Sequence, residues 1–322
     1  DIEILESILK FPQRSILIIK ANYAQLSELI TSFGLIAEIR KTEELNSFWL
    51  NQNITENNDW IEEALNLVDF TKTNNFISIL DSGINNGHRL IEPILDEVNR
   101  LTVEPGWGVN DSMGHGTSMA GIAIYGNLNA ILENKKPLEI HHQIESVKIL
   151  HPNLPNEQNK YPLITLEAVN RAIINNPNAK RIFCMAVTTD FQVDFGKPSA
   201  YSSVLDSIIF GEDINDKKIF LVSAGNVRGE HNWKNYPVSN LNLSVESPAQ
   251  SWNAISIGAY TEKILPDAAT VANKFELSPF STTSSSWDSN WPIKPEVVFE
   301  GGNLIRLENG DVEGHDDLEV LT

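Results

Sequence analysis

From residue 76 onward the chain repeats one pattern: a short apolar run, a polar turn, then a stretch with helical spacing. Residues 76–80 (FISIL), 144–150 (IESVKIL), 181–187 (RIFCMAV), 219–224 (IFLVSA) and 254–258 (AISIG) have the length and β-branched content of buried strands. Residues 115–125 read as a helix whose small residues Gly116, Ala120 and Gly121 permit close packing, with Gly126 as its C-cap. Residues 166–175 read as a second helix, stopped before Pro177. Strands that are apolar on both faces and separated by helices predict an α/β fold, a doubly wound, mostly parallel sheet flanked by helices. Ligands of such sheets bind beyond the carboxyl ends of the strands, which is where Asp81 and Asn226 fall.

The first part of the chain follows a different pattern. Residues 15–20 (SILIIK) predict a strand, residues 23–31 a helix through Leu26, Leu29 and Ile30, and residues 35–39 a second strand. A polar stretch over 51–59, rich in Asn and Glu, then reads as a linker. The expected organisation is a small βαβ unit over 1–68 and a large domain over 69–322.

Composition narrows the classes. With 322 residues, 41% hydrophobic and 21% charged, the chain has the make-up of a globular protein, and no apolar run approaches the roughly 20 residues of a membrane span. Forty-three acidic against 24 basic residues give a net charge of −19, a field that repels phosphate backbones and anionic lipid and reads first as a solubility feature, with attraction of basic polypeptides as the alternative. Nucleic acid and membrane surfaces are therefore not expected partners; for the oligomeric state the sequence gives no signal. The single cysteine, Cys184, excludes an internal disulfide, and the opening Asp1-Ile2-Glu3-Ile4 has no signal-peptide pattern, so a cytoplasmic location is expected.

Three segments carry candidate chemistry. Asp81-Ser82-Gly83 follows a strand, where a carboxylate can orient a histidine, although the same tripeptide is an ordinary turn. Gly114-His115-Gly116-Thr117, preceded by Asp111, places a histidine at a helix start that backbone can approach closely. Ser223-Ala224-Gly225-Asn226 ends another strand; its side-chain amide can donate to a developing oxyanion or simply serve a turn.

In order and surroundings these segments resemble the subtilases, the subtilisin-like serine proteases. Residues 76–84, followed by His88-Arg89-Leu90, resemble the family's aspartate box; residues 111–117 with Ala120-Gly121 resemble its histidine box; residues 221–226 resemble its oxyanion box. Lys148-Ile149-Leu150, residues 254–259, Phe280-Ser281 and Lys294-Pro295-Glu296-Val297 resemble further segments of the same series, from about Phe76 to Val298. The resemblance implies a serine endopeptidase acting on polypeptides without a cofactor. Its catalytic residues would be Asp81 (orienting), His115 (general base, then acid) and Asn226 (oxyanion donor). Met185, Ala186, Val187 and Thr188 would line substrate on one side, and Ser223, Ala224 and Gly225 on the other. The family often binds calcium, for which the sequence offers no recognisable site. The N-terminal unit would be an accessory or prodomain-like segment.

The family's nucleophile box, Gly-Thr-Ser-x-Ala-x-Pro, is expected beyond residue 322, because no serine follows Ser289. Gly116-Thr117-Ser118-Met119-Ala120 spells its first letters but overlaps the histidine motif, and Gly121 stands where the box runs on toward proline. The 322-residue chain by itself is accordingly expected not to form an acyl-enzyme. The alternative function is a pseudoprotease that binds extended peptides without cleaving them. His141, His142 and His151 match no metal-ligand spacing, Cys184 reads as a small buried hydrophobe, and the acidic residues 311–317 read as a solvated turn.

Overall fold

The computed structural model of the chain describes residues 2–10, 15–37, 39, 46, 53–134, 137–154, 156–189, 194–211 and 216–322. They fall into two compact units, Asp1–Glu43 and Glu44–Thr322. In the first, strand β1 (Glu3–Lys10) pairs antiparallel with β2 (Ser15–Lys20), and helix α1 (Tyr23–Ser32) follows behind an Asn22/Gln25 capping box. This is a ββα order rather than the expected βαβ. The register of β1 shifts between Ile4 and Ile8, which breaks the period-two alternation that would have revealed the strand. Gly34 and Leu35 form a turn, Leu35 is 86% exposed, and the described part of 35–39 holds no strand.

The boundary between units also lies earlier than residue 68. Asn46 already belongs to the second unit, its side-chain amide donating to the carbonyls of Asp316 and Glu319 at 3.0 and 2.7 Å. The stretch expected to be a linker holds the start of helix α2 (Ile54–Asn66). Asn53 caps it by accepting from the amides of Thr55 and Glu56, and Glu56 returns the bond to the Asn53 amide. Trp60, Ile61, Ala64 and Leu65 form the apolar stripe that seats α2 on the core.

The second unit is built on an eight-stranded sheet. Its strands are β4 (Asn75–Asp81), β5 (Arg100–Thr102), β7 (Gln143–Lys148), β8 (Lys180–Met185), β9 (Ile219–Ser223), β10 (Ile255–Thr261), β11 (Glu276–Leu277) and β12 (Val297–Glu300). They run in the order β11-β10-β9-β8-β4-β7-β5, with β12 also on β10. Every pair is parallel except β10–β11. Two short strands, β3 (Val68–Phe70) and β6 (Leu138–Ile140), pair parallel outside this sheet.

Alternate residues of the central strands feed two cores. Leu80, Val147, Phe183, Met185, Phe220 and Val222 pack on one face. Their partners come from a helix at Tyr161–Asn175, through Ala168, Val169 and Ala172, and from one at Ala200–Phe210, through Leu205 and Ile208. Ile79 and Ile144 pack on the other face, against α2 and helix α3 (His115–Tyr125) through Ala120, Ile124 and Tyr125. This is the doubly wound arrangement the apolar runs predict, and it sends β4, β8 and β9 to a common carboxyl edge. Phe183 and Phe220 are each 1% exposed and stack with ring centroids 5.0 Å apart. Phe183→Ala is expected to lower stability by about 3–5 kcal/mol through cavity formation, measured by guanidinium unfolding.

Candidate active site at the carboxyl edge of the sheet

Asp81 ends β4 with its side chain 1% exposed, and His115 opens α3. His115 Nδ1 lies 2.9 Å from both Asp81 carboxylate oxygens. The backbone N–H of Ser82 donates to the same carboxylate at 2.7 Å, and the N–H of Ile149 fixes the Asp81 carbonyl at 2.7 Å. The His115 side chain is half-exposed, and its Nε2 has no hydrogen-bond partner among the described residues.

Two features bring the helix start this close. Gly116 is one: a Cβ there would stand 2.1 Å from the Gly83 carbonyl oxygen and 3.3 Å from Asp81 Cβ, so any larger residue pushes α3 off the turn. Asp111 is the other. Its carboxylate accepts from the amides of Met113, Gly114 and Thr117 at 2.9 Å each, from the Thr117 hydroxyl at 2.7 Å and from the Ser82 hydroxyl at 2.9 Å. It thereby satisfies the unpaired donors at the helix start and ties them to the Asp81 turn, while the Ser82 hydroxyl in turn accepts from the Gly116 amide at 3.0 Å. The buried Lys148 holds the preceding loop by donating to the Asn110 carbonyl at 2.6 Å. The sequence marked Asp111 only as a flanking residue; its bond count is visible in three dimensions alone.

Electrostatics follow from this packing. The hydrogen bond to Asp81 raises the His115 pKa above its ordinary value, outweighing burial, with the charges of Asp81 and Asp111 adding to the rise. Burial works to raise the Asp111 carboxyl, but the bonds from Thr117, Met113 and Ser82 win and hold it below the ordinary aspartate value.

The other sequence-derived residues sit on the same edge. Met185 ends β8, fully buried and accepting from the Tyr201 hydroxyl at 3.4 Å, and Ala186, Val187 and Thr188 continue from it half-buried. Ser223 ends β9; Ala224 and Gly225 are buried and Asn226 is exposed. The Asn226 segment is pinned from behind: Thr282 Oγ1 donates to the Ala224 carbonyl at 2.8 Å, Asn226 bridges Ser281, and the Val227 amide donates to the Phe280 carbonyl at 2.8 Å. The Asn226 side-chain amide makes no hydrogen bond to a described residue. Asp81 and His115 are in direct contact; the two flanking segments reach the same edge from β8 and β9. Among the described residues, no group of three or more His, Cys, Asp or Glu side chains is arranged to hold a metal ion. His142 Nε2 instead lies 3.2 Å from the Ala123 carbonyl, and burial pushes the Cys184 thiol up to about 11.

The family model of the subtilases, Peptidase S8, matches residues 72–322. The chain belongs to the subtilase family. Subtilases are serine proteases, which makes polypeptides the substrate class of this chain's family. No curated protein matches at a significant level. Among solved structures, the CspB protease of Clostridium perfringens is similar over 77% of this chain and 80% of its own, at 14% identity and a TM-score of 0.50, which shows a shared fold. The epidermin leader peptide processing serine protease of Staphylococcus aureus matches 99% of this chain and 80% of its own, at 15% identity and a TM-score of 0.45. The psychrophilic subtilisin-like protease Apa1 of Pseudoalteromonas sp. AS-11 matches 72% and 43%, at 16% identity and a TM-score of 0.41. Among the described residues no helix of this subtilase is long and apolar enough to cross a membrane.

Two outcomes are expected. In an NMR titration His115 should show a pKa above 6.5, and Asp81→Asn should bring it down. Because the folded-state pKa is the higher one, the stabilisation is complete below the unfolded value and disappears as pH rises through the folded value. Asp111→Ala should lower stability by about 2–4 kcal/mol in urea unfolding, since it strands several buried donors together. The charge-dependent share of that loss should vanish as pH falls through the depressed Asp111 pKa, because protonated wild-type Asp111 has then lost the charge that strengthens its bonds.

Proposed function

We propose that this subtilase hydrolyses peptide bonds by acyl transfer to a serine, with His115 moving the protons and Asp81 holding its ring. The observation that carries the reading is the contact of Nδ1 with both oxygens of a buried carboxylate. That bond fixes the tautomer with hydrogen on Nδ1, leaving Nε2 as the base on the half-exposed side of the ring. Nε2 takes the proton of the attacking hydroxyl and returns it to the leaving amine; a water then repeats the sequence to release the acyl group. The raised His115 pKa strengthens the base, and it sets the pH below which the imidazolium form stops the reaction. Asn226 donates to the oxyanion of the tetrahedral intermediate, its amide unengaged by other side chains among the described residues and its backbone held by the 280–282 segment. The peptide lies extended between 185–188 and 223–225.

The test is reaction of the protein expressed from its complete gene with a fluorophosphonate probe, the labelled serine being located by mass spectrometry. One serine should be labelled, labelling should be lost in His115→Ala, and Asp81→Asn should slow turnover by about 10,000-fold. Asn226→Ala should lower kcat by about 100- to 1000-fold, the size known from subtilisin itself. Absence of labelling with peptide binding retained would establish the pseudoprotease reading instead.

A further inference from the structure

We infer that Glu246 makes this site select substrates with a lysine or arginine side chain at the position that enters between 185–188 and 223–225. The inference rests on the peptide-binding part of the reading above and specifies its substrate class. Glu246 is the crossbar between the two flanking segments. Its backbone amide donates to the Ala224 carbonyl at 2.9 Å, and its carboxylate accepts from the Thr188 hydroxyl on the opposite segment. The next residue continues the bridge, its carbonyl accepting from the Thr189 amide at 2.8 Å.

The carboxylate therefore occupies the space between the segments rather than the outer surface. Gly225 adopts φ +104°, and a Cβ there would stand 2.5 Å from Glu246 Oε2 and 2.6 Å from its Cγ. A residue without a side chain is required because the glutamate fills that volume. The Glu246 side chain is only 14% exposed, so a charge placed there acts in a medium less screened than water.

Among the described residues the one cation on Glu246 is Arg228, with Nη1 2.6 Å from Oε1 and Nη2 3.4 Å from Oε2. The two ends of this pair differ: Arg228 is 48% exposed and lies two residues beyond Asn226, while the carboxylate is nearly enclosed. The arginine thus covers the site from the solvent side, where an incoming cationic side chain competes with it for the same two oxygens. A peptide guanidinium or ammonium replaces one charge-assisted pair by another. An apolar side chain gains no such bond and leaves the glutamate with Arg228 alone. A glutamate or aspartate is repelled. The net charge of −19 acts in the same direction, concentrating basic peptides near the protein.

The experiment is binding of capped, fluorescein-labelled hexapeptides to the full chain by anisotropy, with one arginine walked through the six positions. At each position arginine is compared with citrulline, its uncharged isostere, and with leucine. At one position arginine should bind about 10- to 100-fold tighter than citrulline. Glu246→Gln, which keeps the shape and the Thr188 bond, should remove that preference, and Arg228→Ala should tighten arginine peptides and raise their affinity relative to citrulline peptides. Thermal melts accompany each variant, and Arg228→Ala supplies the comparison if Glu246→Gln does not fold. The inference is overturned by equal affinity for arginine and citrulline at every position. Persistence of the preference in Glu246→Gln, no gain in Arg228→Ala, or no peptide binding at all would each overturn it as well. Failure of proteolysis is read separately, by fluorophosphonate labelling, so a chain can fail there and still discriminate charge here.

Discussion

A single close approach governs the site: the start of the His115 helix lies against the turn that follows β4. The Gly116 position leaves no room for a Cβ beside the Gly83 carbonyl. With that approach in place, one buried carboxylate, Asp81, reaches the imidazole, and another, Asp111, gathers the loose amides of the helix start. Hydrogen bonds join the helix start to the turn in addition to the apolar packing further along α3, and this sets the imidazole's orientation more narrowly than packing alone. Lys148 extends the same frame one strand further, so β4, β7 and α3 hold the site as one body.

The opposite side of the edge follows another logic. There β8 and β9 deliver two segments anchored at separate points, one at Thr189 by the 246–247 turn and one by 257 and 280–282. The chemical character of the space between them is then left to whichever side chain bridges it. In this chain that side chain is an acid. The character of this space is thus set by a position outside the motifs that surround Asp81 and His115.

The sheet was readable in the sequence wherever both of its faces are covered, because such strands are continuous apolar runs. β4, β7, β8 and β9 fall within a residue or two of expectation at both ends. Helix α3 was readable from His115 to Tyr125 with its glycine cap. Helix α2 was not, since Asn57, Asn58, Asp59, Glu62 and Glu63 mask a narrow stripe, although Asn53 and Glu56 spell the capping box that announces it. β1 was hidden by its bulge. Asp81 and His115 stood out because local motifs surround them. Glu246 did not, because Glu246-Ser247-Pro248 is turn chemistry in one dimension and acquires meaning only from Thr188 and Gly225, which lie far from it in sequence.

Strand β4 stands between β7 and β8, so its edges are filled by segments made well after it. Asp81 and His115 are 34 residues apart, whereas Ser78 of β4 bonds Glu145 of β7 across 67. A nascent chain therefore carries both Asp81 and His115 long before the sheet that fixes their contact exists. Nonlocal parallel pairing of this kind is slow to close. The frame that holds the Asp81–His115 contact is complete only once a large part of the molecule has been synthesised and folded.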